Sequence, residues 1–217
     1  MASKLPYYLL LACLIALNGS IFLTAYLASV GDPSSRDLYA AFAPTCHQLT
    51  TRSLCLYKYD SDGSYSIGDC LPMSTFSYSR ANEVYYPDKS AYKFPVCSRD
   101  VAIYLSMLIG LLILPFIQRI ESEDWPNRFI LLAAAVPIGI DGTGQLLGFW
   151  ESTNTMRLIT GAIIGIVLPF YVVPILNSLY SFMQAKFSGK EKAQPLSPSA
   201  KRKKAKKKAP FKRRRRR

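Results

Sequence analysis

Residues 129–150 read FILLAAAVPIGIDGTGQLLGFW. This stretch decides the fold: a bilayer core is crossed by about 20 helical residues, and here that length is apolar except for Asp141 and a few small polar side chains. Three other stretches have the same character, from Leu5 to Val30, Val101 to Ile117 and Leu158 to Met183. Asn18, Gly19 and Ser20 interrupt the first, and Pro169 and Pro174 the last. Spanning helices tolerate such breaks when neighbouring helices satisfy the freed backbone groups. The expectation is an all-α polytopic membrane protein with four transmembrane helices.

Composition agrees. Half of the 217 residues are hydrophobic and only 19% are charged, too apolar a mixture for an ordinary soluble domain. The net charge of +13 is unevenly placed. Positions 186–217 hold sixteen basic residues and one acid, so the rest of the chain is weakly acidic. Lys and Arg are retained on the cytoplasmic side of a membrane. The tail, with Lys201, Arg202, Lys203 and Lys204 at its centre, is therefore expected inside, as are Lys4 and the link bearing Arg119 and Arg128. Residues 31–100 and the turn from Glu151 to Met156 are expected outside. Residues 1–30 also admit reading as a cleaved signal peptide, with Ala25-Tyr26-Leu27-Ala28 near a small-residue cleavage pattern. Four regions follow: a first helix to residue 30, a loop domain to 100, a three-helix region to 183, and a disordered polybasic tail from 184. That tail is expected to attract anionic lipid headgroups at about 1 kcal/mol per basic residue near the surface. Phe211 is the tail's one interleaved aromatic residue, so nucleic-acid base recognition is not expected.

The outer loop is far longer than a connector requires. Turn signals at Asp62-Gly63, Pro72, Pro87-Asp88 and Pro95 predict short strands or irregular structure between Leu54 and Phe94. Residues 37–42 predict a short amphipathic helix. Cys46, Cys55, Cys70 and Cys97 all fall in this loop. In an oxidising compartment an even count predicts two disulfides, in any of three pairings. Alternatively Cys46, His47 and Cys97 supply a zinc or copper site, thiolate and imidazole being good ligands for both, or a reactive thiol pair.

Within the spans, Asp141 stands out. An ionisable group at such depth costs about 2.5–3.5 kcal/mol and is a functional hypothesis by default. Gln145 lies four residues on, along the same helix face. Arg157 opens the fourth span, behind Ser152 and Asn154, as a natural partner for Asp141, while Arg99 and Asp100 open the second. Topology brings these groups and the Cys46 and Cys97 segments to one membrane face. The candidate catalytic set is Asp141, Gln145, Arg157 and Arg99, with Asp141 as acid, base or counter-ion and the arginines as anion or headgroup binders. Equally, an Asp141 pair with Arg157 or Arg99 would fix helix packing without chemistry. Gly161-x-x-x-Gly165 predicts a helix contact inside the bundle.

Taken in order, Cys46-His47-Gln48 with Arg52-Ser53, Pro95-Val96-Cys97-Ser98-Arg99-Asp100, Asp141-Gly142 with Gln145, and Ser152-x-Asn154-x-x-Arg157-x-x-x-Gly161 resemble the prokaryotic membrane family called domain of unknown function 2085. The resemblance runs from about Pro44 to Gly165 and implies a small multi-span protein, without an activity. Relatives often have a second cysteine where Asp100 stands, so the chain departs from a Cys-x-x-Cys pattern. Cys55 and Cys70 look like additions to the family pattern, which implies that they pair with each other and leave Cys46 with Cys97. No Walker loop, dinucleotide fingerprint or HExxH motif is present. Two readings result: a membrane protein with a polar and thiol site at the outer face, or a non-catalytic accessory or binding protein in which the same residues only pack and staple.

Overall fold

The computed structural model describes residues 3–46, 49–71 and 79–187. One compact unit, Met1–Tyr180, holds the features below; of the second, Ser181–Arg217, the described residues 181–187 are the last turns of a helix.

Four helical segments are long and apolar enough to cross a membrane: α1 (Leu5–Ser29), α3 (Ser98–Ile117), α4 (Arg128–Leu146), and α5 (Asn154–Val167) followed directly by α6 (Pro169–Phe187). The fourth expected span is thus two helices, divided at Leu168 just ahead of Pro169, whose ring removes an amide donor. Large apolar side chains face outward along these helices, among them Leu9, Ile15, Leu112, Ile130, Leu132 and Ile140. A water-soluble monomer rarely carries so much exposed apolar surface; in a bilayer it is the lipid-facing wall. The molecule is a multi-pass membrane protein.

The third span stops earlier than its hydropathy predicts, at Leu146 rather than Trp150. Gly148 takes a φ of 75°, a left-handed conformation cheap only for glycine. The Phe149 amide then bonds back to the Gly144 carbonyl at 2.9 Å. This cap folds Trp150 onto Gly144, where a methyl group would collide with the indole ring.

Between α1 and α3 the segment expected to hold short strands or irregular structure forms strands, so the chain is not all-α. A short helix α2 (Ser34–Phe42) leads to one 3₁₀ turn (Thr50–Arg52) and a four-stranded antiparallel sheet. Its strands are β1 (Leu54–Tyr59), β2 (Tyr65–Asp69), β3 (Glu83–Tyr85) and β4 (Lys89–Lys93), in spatial order β2-β1-β4-β3. Their tyrosines, Tyr57, Tyr59, Tyr65, Tyr85 and Tyr92, favour this pleated surface. Cys55 and Cys70 are joined by a disulfide, fully buried beside Ala91. Phe94 and Val96 after the sheet, Leu54 in it, and Phe42 of α2 pack on Ile21 and Ala25 of α1 and Val101 of α3. That cluster fastens the sheet to one end of the helices. At the other end Lys4 meets Glu121 at 3.6 Å, and the Asn177 amide donates to the carbonyls of Ile120 and Ser122, both at 2.9 Å.

Helices α3 and α5 make the tightest contact in the bundle. A methyl on Gly161 would lie 2.7 Å from the Arg99 carbonyl oxygen, and one on Gly165 would lie 2.5 Å from that of Ile103. Only hydrogen fits at either place, so the Gly161 and Gly165 pair is a helix contact inside the bundle, as its spacing predicts.

Candidate functional site

Each polar group of interest is set by a local backbone feature at the end of the bundle that carries the sheet. Cys97 is the residue capping α3, extended behind Pro95, and Asp100 stands one turn on. That i, i+3 spacing puts thiol and carboxylate on one side of the helix. Cys97 Sγ lies 3.2 Å from Asp100 Oδ2. Cys46, reached through the turn after α2, joins them: the three ligand-type atoms lie within 4.8 Å of one another. Cys46 and Cys97 are not disulfide-bonded, so the bridge implied for them is not formed, whereas that between Cys55 and Cys70 is. The adjacent Cys46 thiol, burial and the Asp100 carboxylate push the Cys97 thiol well above its ordinary pKa.

Arg99 follows Cys97 by two residues and turns toward α4, where its guanidinium pairs with Asp141. Asp141 is 5% exposed and also accepts a hydrogen bond from Ser152 Oγ at 2.9 Å. The glycine cap at Gly148 brings Ser152 and Glu151 back over the end of α4. There Gln145 Nε2 donates to Glu151 Oε2 at 2.9 Å, and Arg52 meets the same oxygen at 3.3 Å. Of the two partners the sequence suggests for Asp141, Arg99 takes the place and Arg157 does not.

Asn154 ties the layers together. Thr153 caps α5, its hydroxyl accepting from the Met156 amide at 3.1 Å. The next side chain, Asn154, donates to Asp69 Oδ1 of β2 at 3.0 Å and meets Ser98 Oγ of α3 at 2.8 Å. Arg157 enters from the same turn, is 2% exposed, and has Nε and Nη2 buried without a hydrogen-bond partner. A buried donor left unsatisfied costs about 1–3 kcal/mol, and more when charged.

A cavity of about 200 Å³ opens between these elements. Cys46, Cys97, Asp100, Arg99, Gln145 and Arg157 line it, with Arg52 at its wall; Asp141 stands behind Arg99. The structure therefore gathers most of the residues singled out from sequence. His47 lies outside the described residues, as do Lys201, Arg202, Lys203 and Lys204. The sequence places Asp100 and Ser152 at this face without giving them a role, and it assigns none to Arg52 or Glu151 in the polar site; the structure brings all four into it. The Cys97 to Asp100 spacing is the signal that points to Asp100; nothing short of the Gly148 turn places Glu151 and Ser152.

Fold and cavity together define the class: a multi-pass helical membrane protein with thiols, carboxylates and guanidinium groups gathered at one end of its bundle. The chain belongs to the family described as predicted membrane protein (DUF2085), which matches residues 89–171. It is 32% identical over 178 residues to an uncharacterised protein of Methanocaldococcus jannaschii, covering 79% of this chain and 93% of that one. An uncharacterised protein of Methanothermobacter thermautotrophicus is 37% identical over 75 residues, covering 35% of this chain and 66% of the other. No solved structure matches.

Proposed function

We propose that the working part of this membrane protein is the polar and thiol site at the outward end of its bundle, and that Cys46, Cys97 and Asp100 hold a zinc-type divalent ion there. The orientation rests on the cationic tail, whose retention inside puts the sheet and the cavity outside and sets Lys201, Arg202, Lys203 and Lys204 against anionic headgroups of the inner leaflet. The observation that carries the metal reading is the approach of two thiols and one carboxylate within 4.8 Å. Ligand atoms of a tetrahedral zinc site lie roughly 3.8 Å apart for bonds of about 2.3 Å, so only a small contraction is needed.

A redox thiol pair is the weaker reading. Reactive thiols have lowered pKa values, and Cys97 is shifted the other way. A metal overcomes that shift by displacing the protons, so binding releases them and weakens as pH falls. Asp141 takes a positioning role: held by Ser152 and behind the cavity wall, it orients Arg99.

Metal analysis and thiol counting on the full chain in detergent test this. The expected result is about one ion per chain, lost on Cys97→Ser and reduced on Asp100→Asn, with Cys46 and Cys97 alkylated only after chelation. Bridged Cys46 and Cys97, or freely alkylated thiols with no bound ion, would overturn it. Impermeant maleimide added to intact cells tests the sidedness independently: after chelation it must reach Cys46 and Cys97.

A further inference from the structure

We infer that the same cavity is an oxyanion site in which Arg157 and Arg99 hold a phosphate group. The inference concerns the cavity of the preceding reading but does not require the metal. Two guanidinium groups in one wall have buried N–H groups with no acceptor: Nε and Nη2 of Arg157, and Nε of Arg99. Buried polar groups are nearly always hydrogen-bonded, so orphaned donors on two arginines that line one cavity point to a missing group made of acceptors. Among the described residues the nearby carboxylates already have partners. Asp141 is taken by Arg99 and Ser152, Glu151 by Arg52 and Gln145, and Asp100 is turned to the Cys97 thiol. Among the described residues Arg157 has no ion pair, although it is 2% exposed. A buried charge without a partner is strongly unfavourable, and water answers only the hydrogen bonds.

The chemistry of the missing group follows from the fork of the guanidinium, which matches planar or tetrahedral oxyanions through paired N–H donors. Size narrows it further. About 200 Å³ is below the roughly 300–1,000 Å³ of pockets for drug-sized ligands. A single oxyanion group fits, with any larger body left outside. Location selects phosphate. The cavity lies where α3 and α5 begin and α4 ends, at the limit of the apolar spans, which is the depth of the phospholipid phosphates. The phosphate is that of a lipid headgroup or a free phosphate ion.

Arginine modification by phenylglyoxal, read at the Arg157 peptide by mass spectrometry, tests the site in the full chain. Inorganic phosphate at millimolar concentration is expected to slow modification at least fivefold in a phospholipid-free detergent if the source is free phosphate. Protection only in nanodiscs of phosphatidylglycerol, and not in those of a phosphate-free glycolipid, assigns the headgroup. Unchanged modification under both conditions overturns the inference. Calorimetric titration of phosphate into Arg157→Lys should show at least tenfold weaker binding than wild type, since charge remains but the fork is lost; equal binding would refute the role of Arg157. Protein with Cys46→Ser and Cys97→Ser keeps both arginines. Loss of metal with retained phosphate protection there separates failure of the metal reading from failure of this one.

Discussion

Two pairs of cysteines in one loop meet opposite fates. Cys55 and Cys70 close a short disulfide across the β1 and β2 hairpin and are fully buried against Ala91. Cys46 and Cys97 stand side by side as thiols, half-buried, with a carboxylate beside them and an arginine-lined cavity in front. Cys55 lies in β1 and Cys70 directly after β2, where the register of the sheet holds the two backbones together, so a covalent bond adds only a staple. The second joins the end of α2 to the cap of α3, where the neighbours are ionisable. Burial among apolar groups makes a cysteine structural; burial among charges gives it partners.

The comparison is broken most severely at the charged end. Asp141→Ala removes the buried carboxylate and leaves the half-buried Arg99 without its counter-charge, and should cost about 3 kcal/mol and most of the accumulated protein. Folded yield from membranes, with Asp141→Asn as the milder change, measures it. On the other side, Cys55→Ser with Cys70→Ser opens a 15-residue loop and should cost about 3 kcal/mol, read as lower resistance of the sheet to denaturant. Metal content should be unaffected by that change, which distinguishes the two pairs more sharply than stability does.

A smaller effect is expected at Lys93. Its side chain is fully buried at the end of β4, and burial pulls its ammonium down to about 8, with Arg80 adding to the shift and Cys46 opposing it. The folded state therefore releases the proton more readily than the unfolded chain, for which the ordinary value is 10.5. Below pH 8 the fold bears the full cost of a buried charge; between about 8 and 10.5 the unfolded chain binds more protons, so stability rises with pH. Thermal midpoints of wild type and Lys93→Met, compared from pH 7 to 10, should shift in favour of wild type across that window. Least of all, Asp62→Asn should leave the midpoint unchanged, because this exposed carboxylate only caps the Ser64 amide. Equal sensitivity of Asp62 and Asp141 would remove the distinction between loop and bundle.

Much of this was legible in the chain itself. Hydropathy marks the four spans because lipid permits few alternatives for a run such as residues 101–117. Topology alone predicts that Cys97, Arg99, Asp141, Gln145 and Arg157 share one end of the bundle. The sheet was only half visible, since Tyr-rich and Ser-rich segments between turns suit strands and irregular structure alike. Partner choice was not visible. Arg157 and Arg99 are equivalent on paper, and only the direction in which each leaves its helix decides that Arg99 reaches Asp141. The early end of α4 depends on one torsion angle at Gly148, which hydropathy does not register.

The glycine seam between α3 and α5 has a consequence for ligand selection. Gly161 sits on the carbonyl of Arg99 itself and is one turn below Arg157, so the backbones that bear the two cationic side chains are locked at a fixed offset by hydrogen-sized contacts within the hydrocarbon. The spacing of the anion clamp is thus gauged inside the bilayer. A bulkier residue at Gly161 has no room beside the Arg99 carbonyl and would push the two helices apart, changing the spacing of the two guanidinium groups.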